Sequence, residues 1–517
     1  MGRRRAGEPG AQRARPRPRL AALARLPPLV LAALLAAWNL AFGLPYLFRP
    51  DEDVMVGRAV HMAAGHSLDP LFYIYPPFVF DLFAAAEAVL AAVPGQHLGP
   101  ATAVSPGAEI LAARLVSAAA AVLTVLLTYA IARRAYGLAA GVLASSALAV
   151  APLAVRQAHF ATTDGVATAL AAAAVWAAQR ADSRRSYLAA GALAGLAGAS
   201  KYTAGAALAY VLIRALTGPR RAASALSALL GCLLAIALVM LPAGHLGGYW
   251  DGLGFLLGRS REFAYMPPGW WYHATRSLPF GLGLGAFALA LAGVAAALWR
   301  RGREDLCLLS YLVVAALPLA FSHEVFFRYV LPLLPPLCIL GAGALSLAPH
   351  RSRRWALGLG FLLLLPSLYN SALSDLVLGA TDTRQQAAEW LNANAATGAD
   401  LQVHSYWGQP LYDSQELGAN PLHPLYRAGD PIADSFQQGL YTTRFTINRG
   451  GTPCYDLVES GPPWQAGGAH NPGAAAEFTP GRPSAGAVYD QLDSFYLPLW
   501  NLEGLDRPGP AIAITSC

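Results

Sequence analysis

Long apolar runs broken by short arginine-rich gaps set the pattern of this chain. Residues 29–48, 110–131, 138–155, 224–241, 279–299, 329–347 and 355–369 are largely uncharged. Each is close to the roughly 20 residues that cross a bilayer as a helix. Segments 165–179 and 306–321 are similar but shorter. Residues 187–216 are mostly apolar, with Lys201 in their middle and arginines at both ends, Arg184–Arg185 and Arg220–Arg221. If both flanks lie on one side of a membrane, this stretch crosses twice, as two short helices that turn near Lys201. A single long tilted helix is the competing reading. Segment 78–93 is apolar but short, and it carries Asp81 and Glu87. Each acid at mid-bilayer costs on the order of 2.5–3.5 kcal/mol. The expectation is an amphipathic helix lying on the membrane surface. The pattern therefore predicts a polytopic α-helical membrane protein with about eleven transmembrane helices plus one juxtamembrane helix.

Charge gives the pattern a direction. Of 517 residues only 13% are charged, against about a quarter in soluble proteins, which disfavours a cytosolic or disordered chain. All cations but Lys201 are arginine, and eight of them fall within the first 25 residues. More gather at Arg133–Arg134, Arg180–Arg185, Arg220–Arg221, Arg300–Arg303 and Arg351–Arg354. The positive-inside tendency places these gaps and the N-terminus in the cytoplasm. Their spacing, one or two apolar segments apart, is that of loops and argues against a nucleic-acid surface. The predicted location is the cell membrane, with residues 1–26 a cytoplasmic tail and 27–370 a transmembrane module.

Residues 371–517 are rich in Gly, Pro, Asn and Asp and contain no spanning segment. They predict an extracytoplasmic mixed α/β domain. It has a helix capped by Asp382 and running to Ala396, and strands at Leu401–Tyr406 and Ala511–Thr515. Cys454 and Cys517 fall in this domain, where a disulfide is permitted. Cys232, Cys307 and Cys338 lie in apolar segments and read as packing residues.

Candidate chemistry collects on the outer face. The loop 49–77 opens with Arg49-Pro50-Asp51-Glu52-Asp53 directly after the first helix, then passes Arg58 and reaches Tyr75-Pro76-Pro77. Acids at that boundary read either as a solvated loop start or as a carboxylate placed to take a proton from a polar acceptor beside a lipid-linked substrate. His159 through Asp164, Lys201, His323-Glu324 and Arg328-Tyr329 are placed at the same level. So is the loop 242–278, with Arg259, Arg261, His273 and several tryptophans. The tryptophans have a simpler explanation as an interfacial belt. His159, Asp164, His323 and Glu324 are weak candidates for a divalent metal, because nothing in their spacing is diagnostic. No nucleotide-binding glycine loop or nucleophile elbow is present in the sequence.

The order of the short motifs carries a resemblance. Asp51-Glu52 follows the first helix, with Ala59 and Gly65 beyond it. Then come Tyr75-Pro76-Pro77, Thr163-Asp164-Gly165, Ser200-Lys201-Tyr202-Thr203 and Phe327-Arg328-Tyr329-Val330-Leu331-Pro332. This series resembles the GT-C fold glycosyltransferases that use polyprenyl-phosphate sugars, among them the protein O-mannosyltransferases and lipid A aminoarabinose transferases. It spans roughly residues 27–347. Met55 stands where the family commonly has an aromatic residue, and Tyr75 where a fuller motif has histidine. The resemblance implies a polyprenyl-phosphate-linked sugar as donor, with a glycan, lipid or protein as acceptor. It implies Asp51 as general base supported by Glu52, and Arg328, Lys201, Arg58 and Tyr329 around the donor phosphate and sugar. Asp164, with His159 nearby, is the second outer acid, for the acceptor or a metal. A transporter or flippase of a lipid-linked substrate, and a non-catalytic membrane scaffold, are the competing readings.

Overall fold

All eleven apolar segments emerge as helices in the computed structural model, which describes residues 23–44, 48–49, 51–93, 106–349, 351–394, 400–405, 443–447, 454–459, 473–493 and 497–516. Five helices are by themselves long and apolar enough to cross a membrane, and up to seven if two bent pairs each count as one span. The chain is a multi-pass membrane protein. The pairs are Leu138–Ala149 with Pro152–Ala158, bent by 62°, and Gly269–Leu282 with Leu284–Arg300, bent by 116°. Pro152 at the start of one second member lacks the N–H that a continuous helix needs. The Lys201 stretch resolves in favour of two helices. Arg184–Gly198 ends before Lys201, which is extended, and Tyr202–Ala206 then turns into Ala207–Leu216.

Small residues let the helices approach closely. A Cβ on Gly191 would lie 1.9 Å from the Ala228 carbonyl oxygen, and one on Gly231 would lie 2.0 Å from that of Leu188. Helices Arg184–Gly198 and Arg221–Ala243 thus touch backbone to backbone, the arrangement that drives association where lipid offers no hydrophobic contrast.

The two ends of the bundle differ. At one end, Arg134 and Arg214 both donate to the Gln179 carbonyl, Arg214 pairs with Glu304 at 2.8 Å, and Arg300 pairs with Asp305 at 2.7 Å. Arg114 lies twenty residues earlier than Arg134 in the same helix, Pro106–Tyr136, hence about 30 Å away at the other end.

That second end carries the helices lying outside the spans. Phe78–Ala91 is helical, as the short apolar segment 78–93 predicts. Two segments read from sequence as loops are also helical, Glu52–Gly65 and Leu246–Arg259. Polar residues among the apolar ones hid the first, and five glycines hid the second. In Leu246–Arg259, Gly252 allows close approach, since a Cβ there would lie 2.2 Å from the Tyr73 carbonyl oxygen.

Beyond the bundle, helix Thr383–Asn394 follows Asp382, whose carboxylate accepts the Arg384 N–H at 2.9 Å, as the capping pattern predicts. Strands β1 (Asp400–Ser405), β2 (Thr443–Ile447), β3 (Cys454–Glu459), β4 (Ala476–Phe478) and β5 (Ile512–Ser516) form one sheet in the order β2-β1-β3-β5-β4. β1 and β3 are parallel and the other pairs antiparallel. Leu457, Ile512 and Ile514 pack on Ala387 and Leu391 of the helix. The C-terminal segment does not stay apart from the membrane module. Val488, Leu492, Leu499 and Trp500 belong to the same buried cluster as Phe327, Leu331 and Leu334. Cys232, Cys307 and Cys338 are buried free thiols, in keeping with a packing role. Most of the Arg-rich tail, residues 1–22, and Cys517 lie outside the described residues.

Candidate active site

Asp51 stands at the entrance to helix Glu52–Gly65, with φ +74°. A left-handed conformation at a non-glycine residue costs on the order of 1–2 kcal/mol. It persists here because the surrounding contacts fix it. The Asp51 carboxylate makes no capping bond to its own helix. It faces Arg328 instead, with Oδ2 2.8 Å from Nη2. Arg328 lies in the tight turn Phe327–Leu333, buried, its guanidinium carbon 4.3 Å from the centre of the Phe326 ring. Its other terminal nitrogen, Nη1, is buried without a partner among the described residues. Unsatisfied buried donors are uncommon and call for a reason.

Two further ion pairs flank this one. Asp164, in the first turn of helix Thr163–Arg180, pairs with Lys201, whose Nζ lies 4.6 Å from the centre of the Tyr329 ring. Glu324 pairs with Arg259 at 3.2 Å. The Tyr75 phenol feels Asp51, Arg328, Glu324 and Asp164 together. Three acids, three cations and two tyrosines thus meet at one end of the bundle. Burial pushes the Asp51 carboxyl up, but Arg328, and more weakly Arg49, Arg259 and Lys201, hold it below the usual value. It is therefore ionised at neutral pH and able to accept a proton. Burial pushes the Glu324 carboxyl up against the opposing pull of Arg259 and Arg328.

The sequence-derived candidates divide here. Asp51, Asp164, Lys201, Glu324, Arg328 and Tyr329 converge. Glu52 turns away from them. It is fully buried, both its oxygens accept from Arg114 at 2.8 Å, and Oε1 also accepts the Ala161 N–H at 2.8 Å. Arg114 reaches on to the carbonyls of Leu40 and Phe42 at 3.0 and 2.9 Å. Glu52 thus locks the helix that Asp51 begins onto the first helix's exit and onto the Ala161 turn. His159 is buried elsewhere, its two ring nitrogens 2.9 and 2.8 Å from the carbonyls of Val155 and Trp38. Arg58 lies close enough to act on Tyr73, in the loop that follows its own helix. His323 is held by the Met266 carbonyl at 2.7 Å. Among the described residues, no three His, Cys, Asp or Glu side chains gather as a metal site. Sequence reading placed Arg259 on the outer face without giving it a role, and passed over Arg114. Arg259 ends a helix that was read as a loop. The signal for Arg114 was an arginine inside an apolar span, which must find a partner.

Comparison with known proteins bears on the fold. Residues 101–244 match the family described as dolichyl-phosphate-mannose-protein mannosyltransferase. A search of curated proteins gives no match. The structure of ArnT from Cupriavidus metallidurans bound to undecaprenyl phosphate aligns with TM-score 0.50 at 17% identity, covering 83% of this chain and 92% of that one. The oligosaccharyltransferase of Archaeoglobus fulgidus, in complex with Zn and sulfate, aligns with TM-score 0.49 at 16% identity, covering 71% of this chain. The chain spans 55% of that protein's length. The helices, the juxtamembrane elements and the ArnT alignment agree with the resemblance read from the motifs: the chain has the GT-C fold.

Proposed function

We propose that this protein is a membrane glycosyltransferase that moves a sugar from a polyprenyl-phosphate donor to an acceptor hydroxyl on the extracytoplasmic face, inverting the anomeric centre. The observation that carries this reading is the Asp51–Arg328 pair at the bundle end opposite the arginine-rich loops, with Arg328 Nη1 still unsatisfied. Asp51 takes the proton of the acceptor hydroxyl as that oxygen attacks the anomeric carbon. The bond from that carbon to the phosphate oxygen breaks, and the polyprenyl phosphate leaves with an added negative charge. Arg328 meets that charge, with Lys201 and Arg259 beside it, which is where fixed cations lower a barrier most. A phosphate drawn onto Arg328 also shares the cation that holds Asp51 acidic, so donor binding makes Asp51 a stronger base.

The membrane setting fits such a donor. A groove of about 500 Å³, counting its open mouth, is lined by Ala32, Ala121, Val125, Leu148, Gly165 and Thr168. It begins one turn from Asp164, whose carbonyl accepts from the Thr168 hydroxyl at 2.8 Å. Its mostly apolar wall, interrupted by Thr124, Gln157 and Thr168, suits an isoprenoid chain. ArnT, which has this fold, is seen with undecaprenyl phosphate. With the arginine-rich end in the cytoplasm, Asp51 and the C-terminal sheet face outward.

The test is transfer from a panel of polyprenyl-phosphate hexoses by the purified protein in nanodiscs, with the product anomer read by NMR. Transfer with inversion is expected. Transfer with retention, or none from any donor, contradicts the proposal.

A further inference from the structure

Asp51 and Arg328 are 277 positions apart, and neither holds the other in place alone. Both neighbouring backbones are gripped by one short strap from the C-terminal segment. Asp493 pairs with Arg49, two residues before Asp51. Asp490 Oδ2 accepts the N–H of Phe327, the residue before Arg328, at 2.6 Å. Its Oδ1 accepts the Leu492 N–H at 3.2 Å, which fixes the carboxylate. We infer that Asp490 and Asp493 are positioning residues, through which the C-terminal strap sets the distance between Asp51 and Arg328. This inference rests on reading Asp51 as the base.

The described residues on either side of the two acids are themselves held in place. Val488 and Leu499–Trp500 pair across it, with N···O distances of 3.0 and 2.7 Å. Arg156, from the second half of a bent helix pair, donates to the Leu497 carbonyl at 2.7 Å. Asn370 accepts the Asn501 N–H at 2.9 Å. The strap is thus tied to the bundle independently of the two acids. The acids themselves are nearly fully buried, as is Arg49 with no exposed surface, so little water competes for either contact. Arg49 also lies over the Phe160 ring at 4.8 Å, which leaves its guanidinium little room to follow a displaced partner. With two acids three residues apart on one strap, each holding one half of the reacting pair, a shift of the strap changes the separation of Asp51 and Arg328. Misplacing a reacting group by about 1 Å costs up to ~100-fold in rate.

A merely structural role predicts something different. The acids would then only satisfy a buried guanidinium and a buried N–H, and any rate lost would be lost with folded protein. Three variants of the full-length protein in nanodiscs separate the two: Asp490→Asn, Asp493→Asn, and the double variant Arg49→Met/Asp493→Leu, which removes the buried pair without leaving a lone charge. Active-site content is counted from the folded fraction, and transfer is measured with a polyprenyl-phosphate hexose that the wild type uses. The single variants are expected to lower kcat at least about tenfold with donor KM within about threefold. The double variant is expected to regain the wild-type Tm but not kcat. A double variant that regains both, or single variants with unchanged kcat per folded molecule, overturns the inference. A cryo-EM structure of Asp493→Asn reads the geometry directly. An Asp51–Arg328 separation beyond about 4 Å is expected, and an intact ion pair overturns the inference. Should the wild type transfer from none of the donors, the base reading falls, and this distance alone decides whether the strap positions the pair.

Discussion

Replacing Arg114 with methionine should unlock the helix that Asp51 begins. The guanidinium gives two bonds to Glu52 at 2.8 Å and two to the carbonyls of Leu40 and Phe42, and its carbon lies 3.9 Å from the centre of the Phe42 ring. Neither Arg114 nor Glu52 has exposed surface. Removing one partner of such a pair leaves an uncompensated buried charge, at a cost of about 3–5 kcal/mol. Unfolding entropy near 2 cal/mol/K per residue makes this a fall in Tm of roughly 3–5 °C for a chain of 517 residues. The assay is thermal unfolding followed by tryptophan fluorescence in detergent at pH 7, together with transfer activity. The double variant Glu52→Gln/Arg114→Met puts neutral groups of similar length in place of the pair and should recover at least half of the lost Tm. Activity should return with it, because Glu52 anchors the helix and does not touch the reacting atoms. A single variant within 1 °C of wild type, or a stable double variant without activity, refutes this reasoning.

Three other perturbations follow from particular contacts. Glu87 is fully buried with neither oxygen bonded among the described residues, and burial, with Glu109 beside it, pushes its carboxyl up to about 9. The folded state keeps a proton that the unfolded chain releases above about pH 4.5, so this group costs nothing at low pH and increasingly more as pH rises toward 9. Glu87→Gln should therefore gain on the wild type by about 1 kcal/mol per pH unit between pH 5 and 8, read from Tm against pH; parallel curves would count against it. Arg328→Lys keeps the charge but loses the planar fork and the spare Nη1 donor. It should lower kcat/KM about 10²–10³-fold and raise the acid limb of the pH profile, and a change below threefold would contradict the role given to the guanidinium. Gly191→Ala pushes a methyl into the Ala228 carbonyl and should cost about 1–3 kcal/mol, with no effect expected if the two helices were not in contact.

Helical content was legible wherever the apolar run was long, because the cost of exposing backbone or charge to lipid leaves few alternatives. The turn at Lys201 followed from the arginines on both of its sides. Asp51 and Arg328 were legible as members of a motif series, and Asp164 and Lys201 likewise. Legibility failed where residues act through distant partners. Nothing local distinguishes Glu52 from Asp51, yet one locks onto Arg114 and the other faces Arg328. His159 sits in a polar run beside Asp164, but carbonyls of Trp38 and Val155 claim it. The grip of Asp490 and Asp493 on the site is a contact across more than 160 residues, which no spacing announces.

The central claim is that the Asp51 carboxylate removes the acceptor proton. It is tested most directly by comparing wild type with Asp51→Asn, in nanodiscs, for transfer of radiolabelled sugar from a polyprenyl-phosphate hexose. The asparagine is nearly the same size and still accepts from Arg328, so the fold and Tm should hold while turnover drops about 10²–10⁴-fold. Equal turnover in the two proteins would contradict the account.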